Sequence, residues 1–153
     1  MTVKPVPDGY HSITPYLIVD GAKAAIDFYK TVFSATERLR LPGPHDRIGH
    51  AELQIGDSII MLADEHPEMD MHGPQKFGGS PVSVLVYVPD VDAVIAKAVT
   101  AGGSIVRPAA DQFYGDRSGM IKDPFGHRWH ISTHIEDVSP AEIERRMAKM
   151  KDA

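Results

Sequence analysis

Hydrophobic and polar positions along this chain follow two periods, and the order in which those periods occur repeats. Ser12–Val19 is rich in β-branched and aromatic residues and predicts a strand. Pro15 inside it cannot donate to a ladder, which pushes the strand toward an edge or a bulge. A helical period then runs to about Ser34, with Asp20 as its expected cap. Ala22, Ala25, Ile26, Tyr29, Val32 and Phe33 fall on one side, and Lys23, Asp27, Lys30 and Thr31 on the other. Three strands are predicted next, at Thr36–Leu41, Arg47–Ile55 and Ser58–Ala63, the last two joined by a Gly56-Asp57 turn. In the middle strand His50, Glu52 and Gln54 share one face, and Ala51, Leu53 and Ile55 share the other.

Residues 64–80 carry two prolines, three glycines and no period, which predicts a linker or lid; the loop histidines His66 and His72 are expected to be exposed there, as is His45 earlier in the chain. The pattern then starts again. Pro81–Val88 places Val82, Val84, Val86 and Val88 on one strand face and Ser83, Leu85 and Tyr87 on the other. Asp90 caps a second helix with Val91, Val94, Ile95 and Ala98 as its stripe, ended by Gly102-Gly103. Strands at Ser104–Arg107, about Phe113–Ile121 and Gly126–Thr133 follow. Ser139-Pro140-Ala141-Glu142 then forms the capping box of a last helix, to about Met150.

The chain therefore reads β-α-β-β-β twice, with a restart about seventy residues on. The predicted fold class is α+β: one domain over residues 1–153, with modules at 12–63 and 81–134, a linker at 64–80 and a C-terminal helix at 139–150. In each module one helix covers one sheet face, leaving the other free to curve around a cavity.

Composition narrows the possible functions. At 153 residues the chain is long enough to bury a core without staples. A net charge of −5 with no basic face argues against nucleic-acid binding. The absence of cysteine removes disulfides, thiolate metal sites and a thiol nucleophile. No apolar run approaches a membrane span, and the first residues lack the apolar stretch of a signal peptide, so a cytoplasmic location is expected.

Chemistry concentrates on the strand after Asp123-Pro124-Phe125-Gly126, itself a turn sequence. Arg128, His130 and Ser132 share one face there, while Trp129 belongs to the core side. Glu52 and His130 can be read as metal ligands, as a carboxylate–imidazole acid–base pair, or as solvated strand positions. His50 lies on Glu52's face but two residue rises along it, so it is a possible third ligand only if its side chain reaches, and otherwise structural. Tyr16 and Tyr87 share the cavity parity, Arg128 is a natural anchor for a carboxylate or phosphonate, and Tyr114 sits in an aromatic loop at the cavity mouth.

The paired modules, with Asp-Pro-Phe-Gly-His-Arg-Trp-His at 123–130 and Gly-His-Ala-Glu-Leu-Gln-Ile-Gly-Asp at 49–57, resemble the vicinal-oxygen-chelate superfamily over about residues 10–134. That group includes glyoxalase I, extradiol dioxygenases, fosfomycin-resistance enzymes and bleomycin-resistance proteins. The resemblance implies a glyoxalase-like fold with an open cavity, usually completed by a homodimer. It also implies one divalent ion (Zn, Ni, Fe or Mn) in the metal-dependent members. Its ligand positions fall at Glu52 and His130, and near Thr14 and Ser83, where the family usually carries His or Gln and His. Two readings follow. One is a metal-dependent lyase, isomerase or dioxygenase using Glu52 and His130 on a small oxygenated molecule. The other is a metal-free protein that binds and sequesters a drug or antibiotic. In both, Thr14, Tyr16, Ser83, Tyr87, Arg128 and Tyr114 are the expected substrate-binding residues.

Overall fold

The structure, a computed structural model, describes residues 2–152. Its first module is β1 (Tyr16–Val19), α1 (Ala22–Phe33), β2 (Thr36–Pro42), β3 (Ile48–Ile55) and β4 (Ser58–Asp64). The second is β5 (Ser83–Tyr87), α2 (Val91–Thr100), β6 (Ser104–Asp111), β7 (Asp116–Lys122) and β8 (Arg128–His134), followed by α3 (Pro140–Lys151). The two sheets have the same topology, β1-β4-β3-β2 and β5-β8-β7-β6, each with one parallel pair between the first and last strands of its module. The duplicated β-α-β-β-β order expected from the sequence is thus present.

The first strand is shorter than predicted. It starts after Pro15, whose carbonyl still accepts from the Met61 N–H at 2.9 Å although its nitrogen has nothing to donate. The sixth strand is longer, because it passes Pro108 through a register shift between Arg107 and Ala110. A bulge is one of the few places where a sheet tolerates proline. Phe113–Gly115 form a turn rather than the start of the seventh strand.

The cap expected of Asp20 is a correction. Asp20 pairs with Arg47 at 2.6 Å, and the N-cap position of α1 is Gly21, in the left-handed region. The free N–H groups of Gly21 and Ala22 donate to Asp64 Oδ1 at 2.9 and 2.8 Å. Asp64 also accepts from the Ile48 N–H at 2.8 Å and from Arg47 at 2.9 Å. A carboxylate from the end of the fourth strand therefore supplies the cap. Asp90 and Ser139 cap α2 and α3 as read, accepting from Ala93 and Glu142.

Both helices and the helix-covered faces of both sheets close on one apolar core. Trp129, 1% exposed, meets the Tyr29 and Phe33 rings of α1 at centroid distances of 5.2 and 4.5 Å. The first module's helix thus packs on the second module's last strand. The Asp123 carboxylate fastens this junction. Oδ1 accepts from the N–H groups of Phe125 and His127 at 3.0 and 2.9 Å, and Oδ2 from the Tyr29 hydroxyl and Trp129 Nε1 at 2.6 and 3.0 Å. The opposite faces of the two sheets look away from this core.

Candidate functional site

On the first sheet the register places Tyr16, Met61, Glu52 and Leu39 in one row across the open face. The irregular lead-in crosses this face and brings the Tyr10 hydroxyl onto Glu52 Oε2. Glu52 Oε1 lies 3.2 Å from His50 Nε2, and His50 Nδ1 lies 2.8 Å from the Tyr16 hydroxyl. The result is a continuous hydrogen-bonded chain, Tyr10–Glu52–His50–Tyr16. The side chains of His50 and Glu52 do converge, although they stand two residues apart on β3. The Tyr10 hydrogen bond, with help from His50 and against the cost of burial, holds the Glu52 carboxyl below its ordinary value. Tyr10 itself is raised by the same bond, and Tyr16 by burial and by Glu52. Beside Tyr16, under residues 65–71, opens a cavity of about 400 Å³ whose wall includes Ile48, Ala63, His66 and Met71. His66 is half-buried there, and His72 keeps a side-chain exposure of only 10%, against the expectation of two solvated loop histidines. His45 is exposed as read.

On the second sheet the matching row is Leu85, His130, Met120 and Arg107. His130 lines a pocket of about 360 Å³ with Arg107, Gln112, Tyr114 and Ser118, all from the second module. Burial, reinforced by the Arg107 guanidinium and opposed by Asp116, holds His130 below the ordinary imidazole value. Arg107 reaches Met120 Sδ at 3.9 Å and, among the described residues, forms no ion pair. The Tyr114 hydroxyl lies 3.4 Å from Ser118 Oγ. Ser132, paired in register with both Tyr87 and Ser118, is buried, and its hydroxyl has no hydrogen-bond partner among the described residues. Tyr87 donates to the buried Asp116 at 3.1 Å, and Asp116 also meets His134 Nδ1 at 2.7 Å.

The expected site residues thus fall into two groups. Tyr16, His50 and Glu52 meet on the first sheet, while His130 and Tyr114 share the pocket on the second with Tyr87 two residues along the sheet. Ser83 and Arg128 pair in register at the exposed end of the second sheet. Thr14 lies in the lead-in, before the first strand begins. No hydrogen bond or ion pair joins Glu52 to His130 among the described residues. Arg107, Ser118 and Tyr10 were not anticipated. Arg107 was hidden by the apparent break at Pro108, and Tyr10 by a lead-in without periodicity.

The family's metal site can be tested against these donors. At the four ligand positions stand two hydroxyls, Thr14 and Ser83, one carboxylate and one imidazole, and hydroxyls are poor ligands for zinc, nickel or iron. Both Glu52 oxygens already accept hydrogen bonds from the same chain. No cluster of three or more His, Asp or Glu side chains that could hold a metal occurs among the described residues. The residues present do not fit the metal.

Two tandem β-α-β-β-β modules, each with a polar row on its open sheet face, define the class: a glyoxalase-fold protein. Residues 9–131 match the Glyoxalase/Bleomycin resistance protein/Dioxygenase superfamily, and the chain belongs to that superfamily. It is 40% identical over 144 residues to the uncharacterized protein Rv0887c of Mycobacterium tuberculosis, covering 92% of this chain and 85% of that one. Among solved structures it is similar to PA1353 from Pseudomonas aeruginosa, at 28% identity and TM-score 0.65, covering 82% of this chain and 99% of that one. TioX from Micromonospora sp. ML1 is similar at 26% identity and TM-score 0.61, with 84% and 100% covered.

Proposed function

We propose that this protein is a metal-free, homodimeric small-molecule binder of the superfamily, and that its second sheet holds the anionic end of an oxygenated ligand. The observation that carries this reading is the Arg107–His130 pocket. An arginine without an acidic partner among the described residues stands beside a half-buried imidazole, with the Tyr114 and Ser118 hydroxyls on the same wall. That combination presents a fixed positive charge, one group able to become a second donor, and two neutral donors, which suits a carboxylate. Exposed Leu85 and Tyr87 flank it on the same sheet face and suit an apolar or aromatic body. The dimer is supported by the family and by large apolar side chains on both open faces, including Leu39, Leu41, Leu85 and Tyr87. The metal-dependent lyase, isomerase or dioxygenase reading is supported by Glu52 and His130 standing on open faces. It requires a partner chain to bring the two together and a third ligand, for which His50, beside Glu52, is the candidate.

Benzoate titrated calorimetrically into the protein tests the pocket. Binding is expected in the parent and to weaken by about tenfold or more in Arg107→Met, the loss of one charged hydrogen-bonding partner. Binding is also expected to tighten as the pH falls below neutrality, because the bound anion favours protonated His130. Equal affinity in the parent and Arg107→Met overturns the assignment.

A further inference from the structure

The Tyr10–Glu52–His50–Tyr16 chain fixes the hydrogen-bonding sense of a second cavity, on the first sheet. A carboxylate only accepts, so Tyr10 donates to Glu52 Oε2 and the proton on the His50 ring sits on Nε2, facing Glu52 Oε1 at 3.2 Å. In the neutral imidazole Nδ1 is then bare and must accept, and the group facing it at 2.8 Å is the Tyr16 hydroxyl. With that neutral tautomer, Tyr16 spends its only proton on His50. What the phenol oxygen keeps for a visitor is lone pairs.

This polarised hydroxyl belongs to a ring that forms part of the wall of the 400 Å³ cavity under residues 65–71. Ile48, Ala63, Met69 and Met71 supply the apolar part of the lining, with two thioethers able to adapt to a flat guest, and Arg47, Glu65, His66 and Glu68 supply a polar part. With Tyr16 in the cavity wall beside the two methionines, a phenol oxygen kept as an acceptor favours a molecule with an apolar body and one hydrogen-bond donor. An ether or ester of the same shape would leave the Tyr16 oxygen facing another acceptor, and discrimination of that kind is sharper than a pocket achieves by shape alone.

We propose that the first-sheet cavity is a second binding site, for a small phenol or apolar alcohol, in which Tyr16 accepts the ligand's hydroxyl proton and Glu52, acting through His50, keeps Tyr16 in that role. In this assignment Tyr16 touches the ligand, while His50 and Glu52 are positioning residues. Glu52, placed by the fold where relatives use a carboxylate ligand, serves here to orient a hydroxyl. The site shares no residue with the Arg107–His130 pocket, so the two readings stand or fall separately.

Phenol and anisole, which differ by the hydroxyl proton, are the probes. Each is titrated into the full chain by ligand-observed NMR, with nuclear Overhauser contacts to the Met69 and Met71 methyl groups locating the site. Phenol is expected to bind the parent protein about tenfold more tightly than anisole. Tyr16→Phe is expected to bring the two probes to equal affinity. His50→Leu, which keeps the Tyr16 hydroxyl but frees its rotor, is expected to erode the preference while anisole binding holds. The proposal is overturned if neither probe contacts the methionines, if the parent does not distinguish them, or if the preference survives in Tyr16→Phe. Should Tyr16→Phe fail to fold, His50→Leu decides alone: an undiminished preference there overturns the relay.

Discussion

Asp123 accepts four hydrogen bonds with two oxygens while buried to 2% exposure, and its partners come from both modules. One oxygen holds the turn closed, and the Gly126 N–H completes it on the Asp123 carbonyl at 3.2 Å with Gly126 at φ 95°. The other oxygen joins Tyr29 to Trp129. Burial and the adjacent Asp123 charge push the Tyr29 phenol well above its ordinary value, so it remains a donor throughout the accessible pH range. Asp123→Asn keeps the shape but replaces one carboxylate oxygen, which takes two of these four bonds, by an amide NH2 that can only donate. The expected cost is about 3 kcal/mol in urea denaturation, with loss of the tertiary circular dichroism of Trp129 at lower denaturant than in the parent. An unchanged denaturation midpoint would mean that the two modules are held by apolar packing alone.

At the scale of elements, the start of α1 depends on a residue from another strand. Burial pushes the Asp64 carboxyl up, but the hydrogen bonds from Arg47 and the N–H groups of Ile48, Ala22 and Gly21 outweigh it, and the net shift is downward. A depressed carboxyl stabilises the fold above its unfolded value near pH 4, and that contribution is lost as the pH falls through the lower folded value. Asp64→Asn is therefore expected to cost about 2–3 kcal/mol at neutral pH and progressively less below about pH 4, where the parent loses the same contribution. Urea melts of both proteins across that range measure the difference, and a gap that stays constant would contradict the assignment. The helix and its buried stripe were legible in the chain because a 3.6-residue period is local. The cap was not, because Asp64 lies 43 residues from Gly21, and Asp20 stands where a local cap would. The same reason hid Tyr10, 42 residues from Glu52, and the passage of the sixth strand beyond Pro108. Side-chain parity survived better: His50 and Glu52, and likewise His130 and Ser132, share the open faces that strand alternation assigns them. Parity gave the face, but not the reach that lets His50 contact Glu52.

In the whole molecule, duplication supplies two sheet faces of similar geometry and different chemistry. The first carries an acidic relay closed by its own lead-in, and the second an arginine–histidine pocket open to a ligand. The turn and final strand at 122–133 identified the superfamily, and the structure gives that stretch a mechanical reason in the Asp123 junction. Membership leaves the chemistry open, since one fold hosts many activities. The proposed metal-free reading rests on the use made of Glu52: a carboxylate engaged by Tyr10 and His50, with hydroxyls at two of the remaining ligand positions. The most direct measurement is metal uptake by the purified dimer or monomer, whichever forms, equilibrated with zinc, nickel and iron(II) and assayed by elemental analysis beside Glu52→Gln and His130→Ala. The metal-free account predicts no stoichiometric uptake in any of the three proteins. Near-stoichiometric metal in the parent, lost in both variants, would contradict it and place Glu52 and His130 around a shared ion.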